Sequence, residues 1–354
     1  MGLKILHTAD WHLGSPFGSF PEKQQALLKQ EQRQLPGRIA ELCLRENCDM
    51  MLLAGDIFDG NPGREIVEEV KRALAHSGVP VLIAPGNHDY CAPGSPWLTE
   101  SWPENVFVFT EGLESVTIHG LDCRIYGAAY HSMDCEGLLE GFRAEGNETY
   151  RIAVLHGDPV QLNSPYCPIT AAQIRDSGLQ YLALGHIHKA GAFQVGDTVC
   201  AWPGCPMGRG WDETGEKGVC IVELSDTVQL HAVSLDAVQF HVMDVEVEGD
   251  AAAALEGVLP AAGNRDFYRI SLTGSGPVDI GALKRKFDQF PNLELRDSTD
   301  APLDIWGSAD EDSLEGIYFS MLRQAMEESP READRIQLAA ELSRKLLSGR
   351  EVTL

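Results

Sequence analysis

Basic residues are scarce: 28 Lys and Arg stand against 53 Asp and Glu in 354 residues, a formal net charge of -25. Binding that rests on phosphate neutralisation needs cations in excess or clustered, so a generic basic nucleic-acid binder is excluded. Any polyanion has to be held by a local basic patch, by metal ions or by a partner chain. Long apolar runs are also missing. None approaches the roughly 18 residues of a spanning helix, so no membrane-spanning helix is expected. Met1-Gly2-Leu3-Lys4 leads directly into a strand-like segment without the regions of a secretory leader, and a cytoplasmic location is the expectation. No two of the nine cysteines (43, 48, 91, 123, 135, 167, 200, 205, 220) form a CxxC pair. They read as reduced, mostly buried small hydrophobes, which excludes a disulfide framework and a zinc knuckle. Repeats and low-complexity tracts are absent.

What is present is a globular composition, 44% hydrophobic and 23% charged, sufficient for a packed core. Leu3 to Thr8, Met50 to Ala54, Val79 to Ala84, Val106 to Phe109, Cys123 to Tyr126, Ile152 to Leu155 and Tyr181 to Leu184 read as buried strands. Between them, Ile66, Val67, Val70 and Leu74 keep helical spacing before Gly78, and Ile39, Leu42 and Cys43 mark a helix ending near Asn47. Ala192 to Leu235 reads as consecutive β hairpins. The fold class is therefore α/β, a two-sheet β-sandwich flanked by helices over residues 1–236. A βαβαβ pattern over 237–300 predicts a small α/β domain. Residues 301–312 read as a linker, and 313–354 as two helices broken at Pro330.

Polar residues gather at the carboxyl ends of the predicted strands, where loops of an open α/β sheet converge. In order these are Asp10-Trp11-His12, Gly55-Asp56-Ile57-Phe58-Asp59, Gly86-Asn87-His88-Asp89, His156-Gly157-Asp158 and Gly185-His186-Ile187-His188. Carboxylate, amide oxygen and imidazole suit Mn2+, Fe2+ or Zn2+, and the lack of thiolates argues against structural zinc. In extended backbone Asp10 and His12, or His186 and His188, would point the same way. Glycines 55, 86, 157 and 185 would let the chain turn beside each ligand. By contrast His7, His76, His119, His131, His231 and His241 read as core or surface residues, and Asp89 and Asp158 as turn or capping residues.

The series DxH, GDxxD, GNHD, HG and GHxH resembles the calcineurin-like metallophosphoesterases over residues 1 to about 235, and implies the metallophosphoesterase fold. The resemblance implies two divalent metal ions, Mn2+ being the leading expectation. Asp10, His12, Asp56 and His188 would hold the first, with Asp56 bridging to a second held by Asn87, His156 and His186. A metal-activated hydroxide would attack phosphorus, with His88 as general acid oriented by Asp59.

Leu6 to Gly14, Gly55 to Asp59, and Trp202 to Gly218 with its PGSPxxxGxxExGxKG-like pattern are similar to the SbcD-type DNA repair exonuclease branch. That likeness implies DNA as substrate, a homodimer, an SMC-like coiled-coil ATPase partner, a DNA-capping role for residues 237–300, and partner docking by 313–354, where Leu338, Leu342 and Leu346 form a stripe. Lys189, Arg209 and Lys217 are candidate substrate contacts, and Lys284-Arg285-Lys286 reads as a contact or a solvated helix face. Two alternatives stay open: hydrolysis of a small phosphodiester or phosphomonoester, and a mainly regulatory or scaffold subunit of an ATPase complex.

Overall fold

The apolar runs of the first part of the chain build two six-stranded sheets, seen in a computed structural model that describes residues 2–300 and 304–347. Numbered along the chain, the first sheet runs in the order β12 (Val228–Ser234), β11 (Gly218–Leu224), β1 (Leu3–Thr8), β2 (Met50–Leu53), β3 (Val81–Ile83), β4 (Val106–Val108). The second runs β5 (Glu114–Ile118), β6 (Cys123–Gly127), β7 (Tyr150–His156), β8 (Tyr181–Gly185), β10 (Thr198–Trp202), β9 (Gly191–Val195). Strands β1 to β4 are mutually parallel, as are β6, β7, β8 and β10, while β5, β9, β11 and β12 add antiparallel edges.

The inner faces of the two sheets share one core. Ile5, Met50, Leu52, Leu82 and Val222 of the first pack with Ile125, Ile152, Val154, Tyr181 and Ala183 of the second. On the outer face of the second sheet Leu155, Leu182 and Leu184 pack with Ile174 and Leu179. Burial on both faces explains why the central strands read as continuous apolar runs without alternation.

Helices α1 (Glu22–Arg45), α2 (Arg64–Ser77), α3 (Pro96–Thr99) and α4 (Ala171–Asp176) connect the strands. The apolar spacing in α2 puts Val67, Val70 and Leu74 inward, and the helix stops at Gly78, which is left-handed at φ 67°. Helix α1 begins well before the Ile39 to Cys43 stripe: Leu28 and Leu35 continue its buried face, but Pro36 and a polar first half obscure the period. The expected hairpins β9–β10 and β11–β12 both form, yet they join different sheets.

The chain divides after Gln239. Beyond it, β13 (Phe240–Val247), α5 (Ala251–Glu256), β14 (Phe267–Gly274), α6 (Ile280–Lys286) and β15 (Leu293–Asp297) make a three-stranded parallel βαβαβ sheet. Asp250 and Asp279 accept the Ala252 and Ala282 N–H groups and cap the two helices. Further on lie α7 (Leu314–Glu328) and α8 (Ala333–Leu347). Phe319, Ala340 and Ala309 form a small buried cluster with the partly buried Ile305 and Trp306 packed against it, and Arg344 donates to the Ile305 carbonyl at 3.0 Å. Residues 301–303 of the expected linker and 348–354 of the expected tail lie outside the described residues. Among the described residues no helix is long and apolar enough to cross a membrane.

Candidate metal centre

Parallel pairing of β1, β2 and β3, and of β7 and β8, sends the loops after these strands the same way within each sheet. The motif loops then lock to one another through backbone bonds: Asp10, His12 and Leu13 N–H donate to the carbonyls of Gly55, Asp56 and Ile57. Asp89 extends the lock. It is buried and accepts the N–H groups of Ile57 (2.8 Å), Phe58 (3.2 Å) and Gly86 (2.7 Å), so it ties the second motif to the third. Asp158 takes a turn role, accepting the Val160 and Gln161 N–H groups. Both fit the capping reading of the sequence.

Four of the expected site residues adopt the left-handed backbone: Asp10 (φ 55°), His12 (46°), Asp56 (52°) and His186 (97°). Side chains other than glycine rarely do so, and such strain collects at functional sites. It also corrects the expectation of an extended i, i+2 arrangement: Asp10 and His12 converge because the chain coils at both positions. The glycines likewise act differently from expectation. Only Gly55 among the four is left-handed. Gly86 and Gly185 are needed for close approach, since a Cβ would lie 2.3 Å from Asp56 Oδ1 in one case and 1.9 Å from the Ala54 carbonyl oxygen in the other.

The polar atoms meet in three overlapping groups, each within 4.8 Å: Asp10, His12 and His188; His12, Asp56 and His88; Asp10, Asp56 and His156. Asp56 is shared. Its Oδ1 accepts the His88 N–H (2.9 Å), leaving Oδ2 3.4 Å from His156 Nε2 and 3.6 Å from His12 Nε2. His12 Nε2 faces His188 Nε2 at 3.1 Å, and Asn87 Oδ1 lies 3.0 Å from His156 Nε2. His186 belongs to none of the three groups. Its ring lies edge-on to that of His156, centroids 5.3 Å apart, and its backbone N–H donates to the Asp10 carboxylate.

The electrostatics are those of an anionic pocket. Burial pushes the Asp10 carboxyl up to about 6 against the pull of His156 and His188. Burial also opposes the charge of Asp56, but His156 and His12 prevail and hold its carboxyl below the usual range. His156 is pushed up to about 9, because Asp56 outweighs its own burial, whereas burial takes His12 down to about 3 and His186 to about 4. In the chain alone a proton on His156 balances the buried carboxylates. The donor set fits a hard or borderline dication in its place. Among the described residues His12 Nδ1 is buried without a hydrogen-bond partner, which leaves this ring's second nitrogen unsatisfied.

His88 is more open, with its side chain 40% exposed. Its Nδ1 lies 3.0 Å from Asp59 Oδ1, and Ser15 Oγ donates to Asp59 Oδ2 at 2.9 Å. Asp59 raises the pKa of His88 above the ordinary imidazole value, and His88 first, then Ser15, brings the Asp59 carboxyl down to about 2.

Of the three candidate substrate cations, Arg209 borders these groups. Its Nη2 lies 3.1 Å from His188 Nδ1 and 2.9 Å from Glu213 Oε1. Among the described residues the Lys189 and Lys217 ammonium groups make no hydrogen bond or ion pair. Lys284-Arg285-Lys286 forms the last turn of α6, with Lys286 paired to Glu256 at 2.8 Å. Ser15 at the site was not singled out in the sequence, and Glu213, the acid of the PGSPxxxGxxExGxKG-like pattern, was given no role there. Glu213 stands four residues after Arg209 in the loop before β11, a spacing that allows an acid–base pair.

The sequence model of the calcineurin-like phosphoesterase family matches residues 3–190. The chain belongs to this family. The family works with divalent metal ions, and the grouped Asp and His side chains above can hold them. It is similar to the uncharacterized metallophosphoesterase YhaO of Bacillus subtilis, 31% identical over 238 residues that make up 63% of this chain and 58% of the relative. It is also similar to a subunit of the nuclease SbcCD from Staphylococcus epidermidis, 20% identical over 82% of this chain and 84% of the relative. A third relative is the DNA double-strand break repair protein Mre11 of Aeropyrum pernix, 37% identical over 24% of this chain and 21% of the relative.

Proposed function

We propose that this metallophosphoesterase is a two-metal phosphodiester hydrolase that acts on DNA. The observation that carries the two-metal reading is the double contact of Asp56 Oδ2 with His12 and His156, which places one carboxylate oxygen between two sets of donors. Asp10, His12, Asp56 and His188 hold one ion. Asp56, Asn87, His156 and His186 hold the other. The pair supplies Lewis-acid charge for the phosphoryl oxygens and lowers the pKa of water, and Mn2+ is the first candidate.

The chain's own residues do the rest. His88, oriented through Nδ1 by Asp59, has Nε2 free to give a proton to the leaving oxygen. Ser15 fixes the far carboxylate oxygen, so that the Asp59–His88 bond keeps its direction. Arg209 supplies the local cation that the composition otherwise lacks, and it meets a substrate phosphate from the His188 side.

DNA as substrate is supported by the relatives whose names state a nuclease and a double-strand break repair protein. Work with an SMC-like coiled-coil ATPase, as a homodimer, belongs to the same reading. Leu314, Met321, Leu338 and Leu346, all more than half exposed on α7 and α8, provide an apolar face for such a partner. A second reading, hydrolysis of a small phosphate ester, is favoured by the contact of Arg209 with Glu213 beside the centre, where the Lys189 and Lys217 ammonium groups make no hydrogen bond or ion pair among the described residues. Incubation with Mn2+ and labelled single- or double-stranded DNA, p-nitrophenyl phosphate or bis-p-nitrophenyl phosphate separates them. DNA degradation that Asp56→Asn abolishes supports the nuclease. Turnover of small esters alone supports the second reading, and turnover only when an ATPase is added points to a regulated component of a complex.

A further inference from the structure

We propose that Glu213 is a positioning residue of the centre: its carboxylate sets the tautomer and orientation of His188 and anchors the Arg209 guanidinium beside it. The inference rests on the reading of His188 as a metal ligand.

Glu213 lies outside the five motifs, yet it is buried to 7% exposure beside them. Its Oε1 is 2.6 Å from His188 Nδ1 and 2.9 Å from Arg209 Nη2, and its Oε2 takes the Arg209 backbone N–H at 2.8 Å. An ionised carboxylate offers only acceptors, so His188 Nδ1 has to carry the hydrogen of that bond. A guanidinium only donates, so the 3.1 Å approach of Arg209 Nη2 to the same Nδ1 is no hydrogen bond. Both donors point at Oε1.

With its single proton on Nδ1, the neutral His188 ring presents a bare lone pair at Nε2, the nitrogen that faces His12 at 3.1 Å and Asp10 at 4.0 Å. A carboxylate behind an imidazole also raises its basicity as a ligand. On the other side, Glu213 occupies Arg209 Nη2 and draws in Nε at 3.4 Å, while Nη1 has no protein partner among the described residues. The guanidinium is therefore held by one edge and offers the other to an anion. One buried acid thus serves a ligand and a substrate contact, and a one-sided explanation as a surface ion pair fails because the acid is buried and also bonds the imidazole.

The test uses the full chain and Mn2+ alone. Calorimetric titration gives the affinity, and 15N-imidazole correlation spectra of the metal-free protein give the His188 tautomer. Glu213→Ala is expected to lower Mn2+ affinity about 10- to 100-fold and to shift His188 from the Nδ1–H form to a tautomer mixture. Glu213→Asp is expected to recover part of both. Arg209→Gln is expected to leave affinity and tautomer unchanged. Wild-type affinity together with an unchanged His188 spectrum in folded Glu213→Ala overturns the proposal. Should Glu213→Ala fail to fold, Glu213→Gln decides by the same criterion: weakened Mn2+ binding supports it and wild-type binding overturns it. A wild-type chain that takes up no Mn2+ overturns the metal reading instead, and the metal-free spectrum then still shows whether Glu213 sets the His188 tautomer.

Discussion

Asp56 Oδ2 lies 3.4 Å from His156 Nε2, a contact that joins the loop after β2 of one sheet to the end of β7 in the other. Both side chains are buried. A bare carboxylate in such a place is costly unless a cation meets it. In the chain alone the imidazolium of His156 does so, and in the function proposed above a dication would take over that part. The contact thus joins the sandwich to the chemistry, because only side-by-side sheets with co-directional strands bring these two motifs together.

His88 and Asp59 lead to a prediction about leaving groups. His88→Ala should lower kcat on DNA about 100- to 10,000-fold, the span of general acid–base assistance, with Mn2+ still bound. On bis-p-nitrophenyl phosphate, whose leaving group departs without protonation, the loss should be much smaller. An equal loss on both substrates in steady-state assays would remove the acid role. Asp59→Asn should act in the same direction but less.

Asp89 is expected to matter for stability and not for turnover as such. Its carboxylate accepts three backbone N–H groups from two loops. Asp89→Ala leaves them buried and unpaired, a cost of about 3 kcal/mol. Denaturant unfolding of the metal-free chain measures this directly. An unchanged midpoint would show that water or a loop shift satisfies the three donors.

His7 provides a pH prediction away from the centre. It is fully buried, with Nδ1 2.7 Å from the Tyr181 hydroxyl and Nε2 3.0 Å from the Leu184 carbonyl. The carbonyl can only accept, so Nε2 carries the proton and Nδ1 accepts from Tyr181. Burial takes the pKa of this neutral ring down to about 3, from 6.5 in an unfolded chain. Between these values the unfolded state binds a proton that the folded state does not. Stability from this group is therefore complete above pH 6.5 and lost as the pH falls, by at most about 1.4 kcal/mol per pH unit. Urea unfolding at pH 7.5 and 5.0 should show wild type losing about 2 kcal/mol more than His7→Gln over that interval. Equal losses would contradict the assignment.

The net charge of -25 sets an expectation for DNA binding. With Arg209 as the one cation at the centre among those considered, the chain alone should bind duplex weakly. The slope of log K against log salt should correspond to one or two phosphates, near -1 to -2 by the usual relation of about 0.9 per contact. Filter binding or anisotropy across a salt series measures it. Tight duplex binding in chelator at physiological salt would rule out a purely local grip.

Much of the fold and the site could be read from the residues, for physical reasons. Strands buried on both faces announce themselves as apolar runs, and the motifs follow them immediately, so the places of Asp10, Asp56, Asn87, His156 and His186 at one end of the sheets could be inferred. Three things could not. Helix α1 hid its first half behind polar residues and Pro36, because an amphipathic period needs regular apolar positions to be visible. The left-handed backbone at Asp10, His12 and Asp56 has no local sequence signal, since it is imposed by the bonds between loops. Ser15 carries no motif of its own, and the pattern that contains Glu213 does not say which side chain that acid meets, so only the third dimension shows what they touch.

In the function proposed above, five separated loops make one centre for two metal ions with Asp56 between them. Calorimetric titration of the metal-free chain with Mn2+, checked by elemental analysis, is the decisive measurement. Two ions per chain are expected for wild type and at most one for Asp56→Asn, with proton release as His156 gives up its proton. A wild-type chain that binds a single ion or none, or an Asp56→Asn chain that still binds two with unchanged affinity, would refute the two-metal centre.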